Sequence, residues 1–158
     1  MSKFEPKIIE NIKKYGCHVM CVFGEGGSPG FAYSVGMEKT YGQPEIVVIG
    51  LRAELGHALI NNLAQEYKAG KTYKSEHFYS DIVENFDCAM LDVDKKYYDD
   101  YFGQAQWYYG NDDFRVQQIV YPTAKGSFPW DEDFPAEMKN WMLILNHDFM
   151  NKIQASNG

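Results

Sequence analysis

Tyr33, Ser34 and Glu45 are the residues of this chain whose types and spacing come nearest to chemistry. They lie on two strand-like runs, Phe31 to Met37 and Glu45 to Leu51, separated by a short connector. If the runs neighbour each other, a phenol, a hydroxyl and a carboxylate gather at the strand ends. Tyr33 then donates a hydrogen bond, Ser34 meets a phosphate or carbonyl, and Glu45 accepts. Gln43 stands in the connector, two residues before Glu45. Far downstream come Gln118, in a strand-like run ending Tyr121-Pro122, and Trp130 and Asp131, in the loop sequence Phe128-Pro129-Trp130-Asp131. Strand ends and loops are where sites form. Each residue also has a plainer role: Tyr33 as core, Glu45 as a strand-start charge, Trp130 as a cover over apolar neighbours, Asp131 as a turn cap.

The remaining reactive types form weaker patterns. Gly24, Gly26 and Gly30 lack dinucleotide-loop spacing, and a strand rather than a helix follows them, so they read as a hairpin loop. Cys17, His18 and Cys21 have no second Cys/His pair to complete a zinc site, and no metal is expected. The paired acids Asp92/Asp94, Asp99/Asp100, Asp112/Asp113 and Asp131/Glu132/Asp133 lack calcium-loop spacing and read as solvated faces.

The elements that must position these groups follow from periodicity. Residues 4–15 repeat apolar side chains at helical spacing and stop at Gly16. Residues 17–23, 31–37, 45–51, 86–93 and 114–121 read as strands, with another near 73–78 and a turn at 41–44. Leu55, Leu59, Leu63 and Tyr67 form an i, i+4 stripe on a helix over 53–69, with Gly70 just past its end. A helix over 95–109 is expected to break or bend at Gly103. A terminal helix is expected over 135–153, carrying Met138, Met142, Leu145, Phe149 and Ile153. The sum is one α+β domain over residues 1–158: an antiparallel or mixed sheet, conceivably barrel-like, with a long helix packed on it and a C-terminal helix.

Composition narrows the class. The 158 residues are 45% hydrophobic and 23% charged, ordinary for a globular chain long enough to bury a core. Twelve Tyr and ten Phe point first to an aromatic core. A net charge of −7 and the lack of a basic stripe argue against a nucleic-acid partner and suit a basic protein partner. Three cysteines make a closed disulfide framework unexpected and favour reduced core thiols. With no signal-like segment and no apolar run near ~18 residues, the expectation is a cytoplasmic protein without a membrane span.

The order of these short motifs resembles the domain-of-unknown-function 4262 family of mainly bacterial proteins. The likeness covers about residues 12–133. It runs from Gly16 through Phe31 to Met37, where Ser34 and Met37 stand for Thr and Leu. Gln43-Pro44-Glu45 follows, then Gly50-Leu51 and Asn61 or Asn62. It ends with Arg115, Gln118, Tyr121-Pro122-Thr123 and Phe128 to Asp131. Gln43 replaces a frequent His and Thr123 a frequent Asp; were either catalytic in relatives this chain would be impaired, which weighs against an enzyme. The resemblance implies no established activity. A second, architectural likeness to flavin-reductase split barrels is a likeness of fold alone.

Two expectations result. The first is a small acidic protein-binding domain without a cofactor. Its concrete form is an immunity protein that neutralises a cognate, basic toxin domain. The second is a flavin- or nucleotide-binding enzyme using Tyr33, Ser34, Glu45, Gln118, Trp130 and Asp131.

Overall fold

The computed structural model describes residues 5–26, 28–139 and 141–149. Helix α1 (Glu5–Tyr15) buries Ile8 and Ile12 and ends at Gly16. Strands β1 (His18–Val22) and β2 (Phe31–Val35) form an antiparallel hairpin across the glycine loop. A short helix, α2 (Met37–Tyr41), then leads to β3 (Glu45–Ile49). Helix α3 (Ala53–Lys68) is followed by β4 (His77–Val83) and β5 (Phe86–Asp92). Next come α4 (Tyr98–Tyr101), α5 (Gly103–Tyr109) and β6 (Val116–Val120).

The six strands form one mixed sheet in the order β1-β2-β3-β6-β5-β4. Only β3 and β6 run parallel, and all other neighbours are antiparallel. Strands β1 and β4 are its two edges, so the sheet is open and not a barrel. Because side chains alternate along a strand, strands β2 and β3 feed two cores. Ala32, Ile46, Val48, Met90 and Ile119 pack with Leu59, Ile60, Leu63 and Tyr67 of α3. Tyr33, Val35, Val47, Ile49 and Val116 pack on the opposite side with Ile8 and Ile12 of α1, Tyr98, Phe102, Ala105 and Leu145. Tyr33, Tyr67, Tyr73, Tyr98, Phe102, Phe114 and Phe134 are buried, and Phe31, Tyr41, Tyr79, Tyr101, Tyr109 and Tyr121 pack half-buried against the cores.

Several boundaries differ from the periodicity reading. The run 31–37 stops being a strand at Val35, and residues 37–41 are helical, where the strand was expected to reach 37 and a turn to begin at 41. The cause is a buried carboxylate at the helix start, described below. Leu55 belongs to the helical stripe by spacing yet is 45% exposed, because the face toward the sheet is occupied by Gly56, Leu59, Ile60 and Leu63. Strand β4 begins at His77, later than expected. The 95–109 segment is a 3-10 turn (Lys95–Tyr97) and two helices that part at Phe102, next to Gly103. After Pro135 only Ala136–Met138 form a 3-10 turn, and helical backbone resumes at residues 147–149. Within residues 141–146, Leu143, Leu145 and Asn146 are hydrogen-bonded to Gln118 and to the Asp92 carbonyl. Residues 150–153 of the expected terminal helix lie outside the described residues.

Two motif glycines have a steric cause. Gly36 has φ 109°, and a Cβ there would stand 2.8 Å from Ile12 Cγ1. Gly50 has φ 89°, and a Cβ would meet Tyr121 Oη at 2.8 Å and Trp141 Cδ1 at 3.0 Å. Both positions need left-handed backbone and space that only glycine leaves.

Candidate functional site

Strands β2 and β3 do pair, in the register Phe31–Ile49, Ala32–Val48 and Tyr33–Val47. Beyond Tyr33–Val47 side chains take over. Ile46 N–H donates to Ser34 Oγ at 2.9 Å, and Ser34 Oγ donates onward to Glu45 Oε1 at 2.7 Å. Glu45 is 1% exposed. Its carboxylate also accepts from the backbone N–H groups of Gly36 (3.2 Å), Met37 (3.0 Å) and Glu38 (3.1 Å). Three successive amides at a helix start form a concave anion seat. Tyr109 of α5 donates a short hydrogen bond to Glu45 Oε2, and its own oxygen accepts Lys39 N–H at 3.3 Å.

Both hydroxyls therefore have their acceptor side occupied by a backbone N–H, which turns their protons toward Glu45. Burial pushes the carboxyl up from its ordinary range, while Tyr109, Ser34 and the amides of Glu38 and Met37 pull it back. Burial is the larger effect, and five donors surround the two carboxyl oxygens. This is a closed node. It joins β2, α2, β3 and α5, and its carboxylate is spent on structure.

The other expected site residues have separate duties. Tyr33, on the opposite face from Ala32, accepts Gln104 N–H at 3.2 Å, and burial pushes its phenol up to about 12. Gln43 sits half-buried in the turn after α2. Gln118 Nε2 donates to Leu143 C=O at 2.6 Å, and its Oε1 accepts Leu145 N–H at 2.9 Å. One primary amide thus imitates a strand partner for residues 143–145. Asp131 Oδ2 accepts Phe128 N–H at 2.8 Å and closes the loop. Trp130 stacks on Phe128 (5.0 Å between centroids) and meets Phe149 edge-on, covering Ala89, Leu91 and Val120. The structure joins Ser34 and Glu45, with Tyr33 one residue away. Trp130 lies toward β5 and β4, three to four inter-strand spacings from β2, roughly 14–19 Å.

The Gln118 clamp has a local consequence. Replacing Gln118 with Leu strands Leu143 C=O and Leu145 N–H. It is expected to cost about 1–3 kcal/mol and to raise amide exchange at Leu145 at least tenfold relative to strand β3. Equal protection in the variant would show that packing alone seats this segment.

Two open features were not assembled by the sequence motifs. The first is a cleft of about 440 Å³ at edge strand β1, lined by side chains of α1, the β1 region and α3. His18 Nδ1 lies 2.8 Å from Asn11 Nδ2, and His57 Nδ1 lies 2.9 Å from Asn61 Nδ2. The spacing of His57 and Asn61, one helical turn apart, was the available sequence signal. The second feature is the α4–α5 surface. Gln106 Nε2 donates to Asp99 Oδ1 and Asp112 Oδ1, both at 2.8 Å. Asp100 and Asp113 are exposed beside them, and Trp107 is 38% exposed on the same helix as Gln106.

The three thiols are free. Burial pushes Cys17 up to about 12 and Cys88 to about 11, and it raises Cys21 as well, so all three are poor nucleophiles at neutral pH. Among the described residues no group of three or more His, Cys, Asp or Glu is placed to hold a metal ion. No described helix is long and apolar enough to cross a membrane.

The sequence profile of the domain-of-unknown-function family DUF4262 matches residues 11–135. The chain belongs to that family. The DUF4262 segment takes in the Glu45 node, both His–Asn pairs and the α4–α5 surface. Residues 141–149, part of which Gln118 clamps, lie beyond it. No curated protein and no solved structure matches the chain.

Proposed function

We propose that this DUF4262 chain is a protein-binding domain whose partner presents a basic surface. The carrying observation is the Gln106 amide, which draws the Asp99 and Asp112 carboxylates together, with Trp107 exposed on the same helix. Carboxylates steer a cationic partner and set its orientation. An exposed indole supplies buried area and a face for Lys or Arg. The net charge of −7 extends the same attraction over the molecule. A concrete form of this reading is an immunity protein in the cytoplasm that neutralises a basic toxin domain.

The test is a capture experiment from native host lysate with the wild-type chain and a triple variant (Asp99→Asn, Asp112→Asn, Trp107→Ala). The partner captured by the wild type is then purified and its binding measured at low and high salt. The expected outcome is a basic protein bound about 30-fold or more weakly by the variant, with an association rate that falls as salt rises. A partner that binds both chains alike, or none captured by either, would end the proposal.

A further inference from the structure

The edge-strand cleft is distinct from the α4–α5 surface and has a different chemistry. Its floor is Cys17, Val19 and Ala64, and its polar groups are His18, His57, Asn11, Asn61, Asn62 and Gln65. Although the protein carries 22 Asp and Glu, none of the described residues lining this cleft is a carboxylate. Positive charge stands close by: Lys14 Nζ lies 5.3 Å from the centroid of the Tyr15 ring at the rim.

The two His–Asn pairs fix the tautomers. Each Asn Nδ2 is a donor, so each His Nδ1 accepts, and the proton of each neutral ring sits on Nε2. Burial is the first cause that pushes the His18 imidazole below its ordinary range, which favours the neutral ring. Both rings line the same cleft. The result is two oriented Nε2–H donors, with the Asn62 and Gln65 amides as further donors. The space of about 440 Å³ falls within the usual ~300–1,000 Å³ of small-molecule sites.

We infer that the cleft between α1, β1 and α3 is a binding site for a small organic oxyanion, a carboxylate or a phosphate ester, held by the Nε2–H groups of His18 and His57. Imidazole N–H donors suit an oxyanion because they give hydrogen bonds without a paired acid to displace. A floor of Cys17, Val19 and Ala64 suits the ligand's organic body. In this acidic protein the cleft is a region where an anion meets donors without facing a carboxylate in the lining.

The test follows the imidazole nitrogen resonances of the full chain by NMR during titration with inorganic phosphate and, separately, with succinate. The expected result is a saturable shift of both His18 and His57 with at least one anion. His57→Ala, an exposed helical site that tolerates alanine, should then bind about tenfold more weakly. Trp107→Ala, on the other surface, should bind as the wild type does. Saturation with phosphate alone assigns a phosphate ester, with succinate alone a carboxylate, and with both an oxyanion site without selection between them. Linear, unsaturated shifts with both anions, or equal affinity in His57→Ala, would overturn the inference.

Discussion

Replacing Glu45 with Ala should lower the unfolding free energy by about 3–5 kcal/mol, the scale of breaking a buried charged network from one side. The substitution leaves the amides of Gly36, Met37 and Glu38 and the hydroxyls of Ser34 and Tyr109 without their acceptor. A buried donor without a partner costs its full desolvation. Glu45→Gln should be nearly as harmful, because its NH2 group faces donors where an oxygen is needed. Tyr109→Phe removes one donor and leaves the amide seat intact, so about 1–2 kcal/mol is expected. Urea denaturation monitored by circular dichroism reads all three variants. Against a typical domain stability of about 5–15 kcal/mol, the Ala variant stands near the edge of folding. A loss under about 1 kcal/mol would mean that water replaces the carboxylate and that the node does not organise α2.

The second large effect is alkaline unfolding below pH 12. Burial pushes Tyr33, Tyr73 and Tyr98 from 10.0 up to about 12. It raises Tyr121 to about 12 too, and Tyr67 and Tyr109 move in the same direction, with the Glu45 charge adding to both. Below pH 10 these phenols are protonated in both states, and their contribution to stability is fully present. Between 10 and about 12 the unfolded chain releases protons that the folded chain keeps, so stability falls as pH rises. Together the three buried phenols remove several kcal/mol by pH 12, at about 1.4 kcal/mol for each pH unit and group. Even half of that is a large part of a domain's stability. Tyrosinate absorbance and far-ultraviolet circular dichroism should be recorded together. The buried phenols Tyr33, Tyr73 and Tyr98 should ionise in one step with loss of ellipticity. Twelve phenols titrating together near pH 10 with unchanged ellipticity would contradict the burial pattern.

These expectations show where sequence reading succeeds. Helix α3 was legible because Leu59, Leu63 and Tyr67 recur at helical spacing and Gly70 follows them. The pairing of β2 with β3 was legible because two apolar runs flank a short connector. Reading Tyr33, Ser34 and Glu45 as neighbours was sound for Ser34 and Glu45. Their duty was not legible, since a Ser and a Glu in contact look the same whether the carboxylate faces a substrate or three amides. Asp131 capping its own loop and Trp130 covering apolar neighbours are the plainer roles that the local sequence already offered.

Local residue order thus determined the α+β class, most elements, the aromatic core and the glycines that flank α2 and β3. Those follow from short-range periodicity and backbone sterics, which adjacent residues carry. Only tertiary structure decided that Tyr109, 64 positions from Glu45, completes its shell, and that Gln118 replaces a strand partner for residues 143–145. It alone brought His18 beside Asn11 at the sheet edge and faced them with His57 and Asn61 from α3. Such contacts depend on which faces of distant elements the hydrophobic cores press together, and no local pattern encodes that choice.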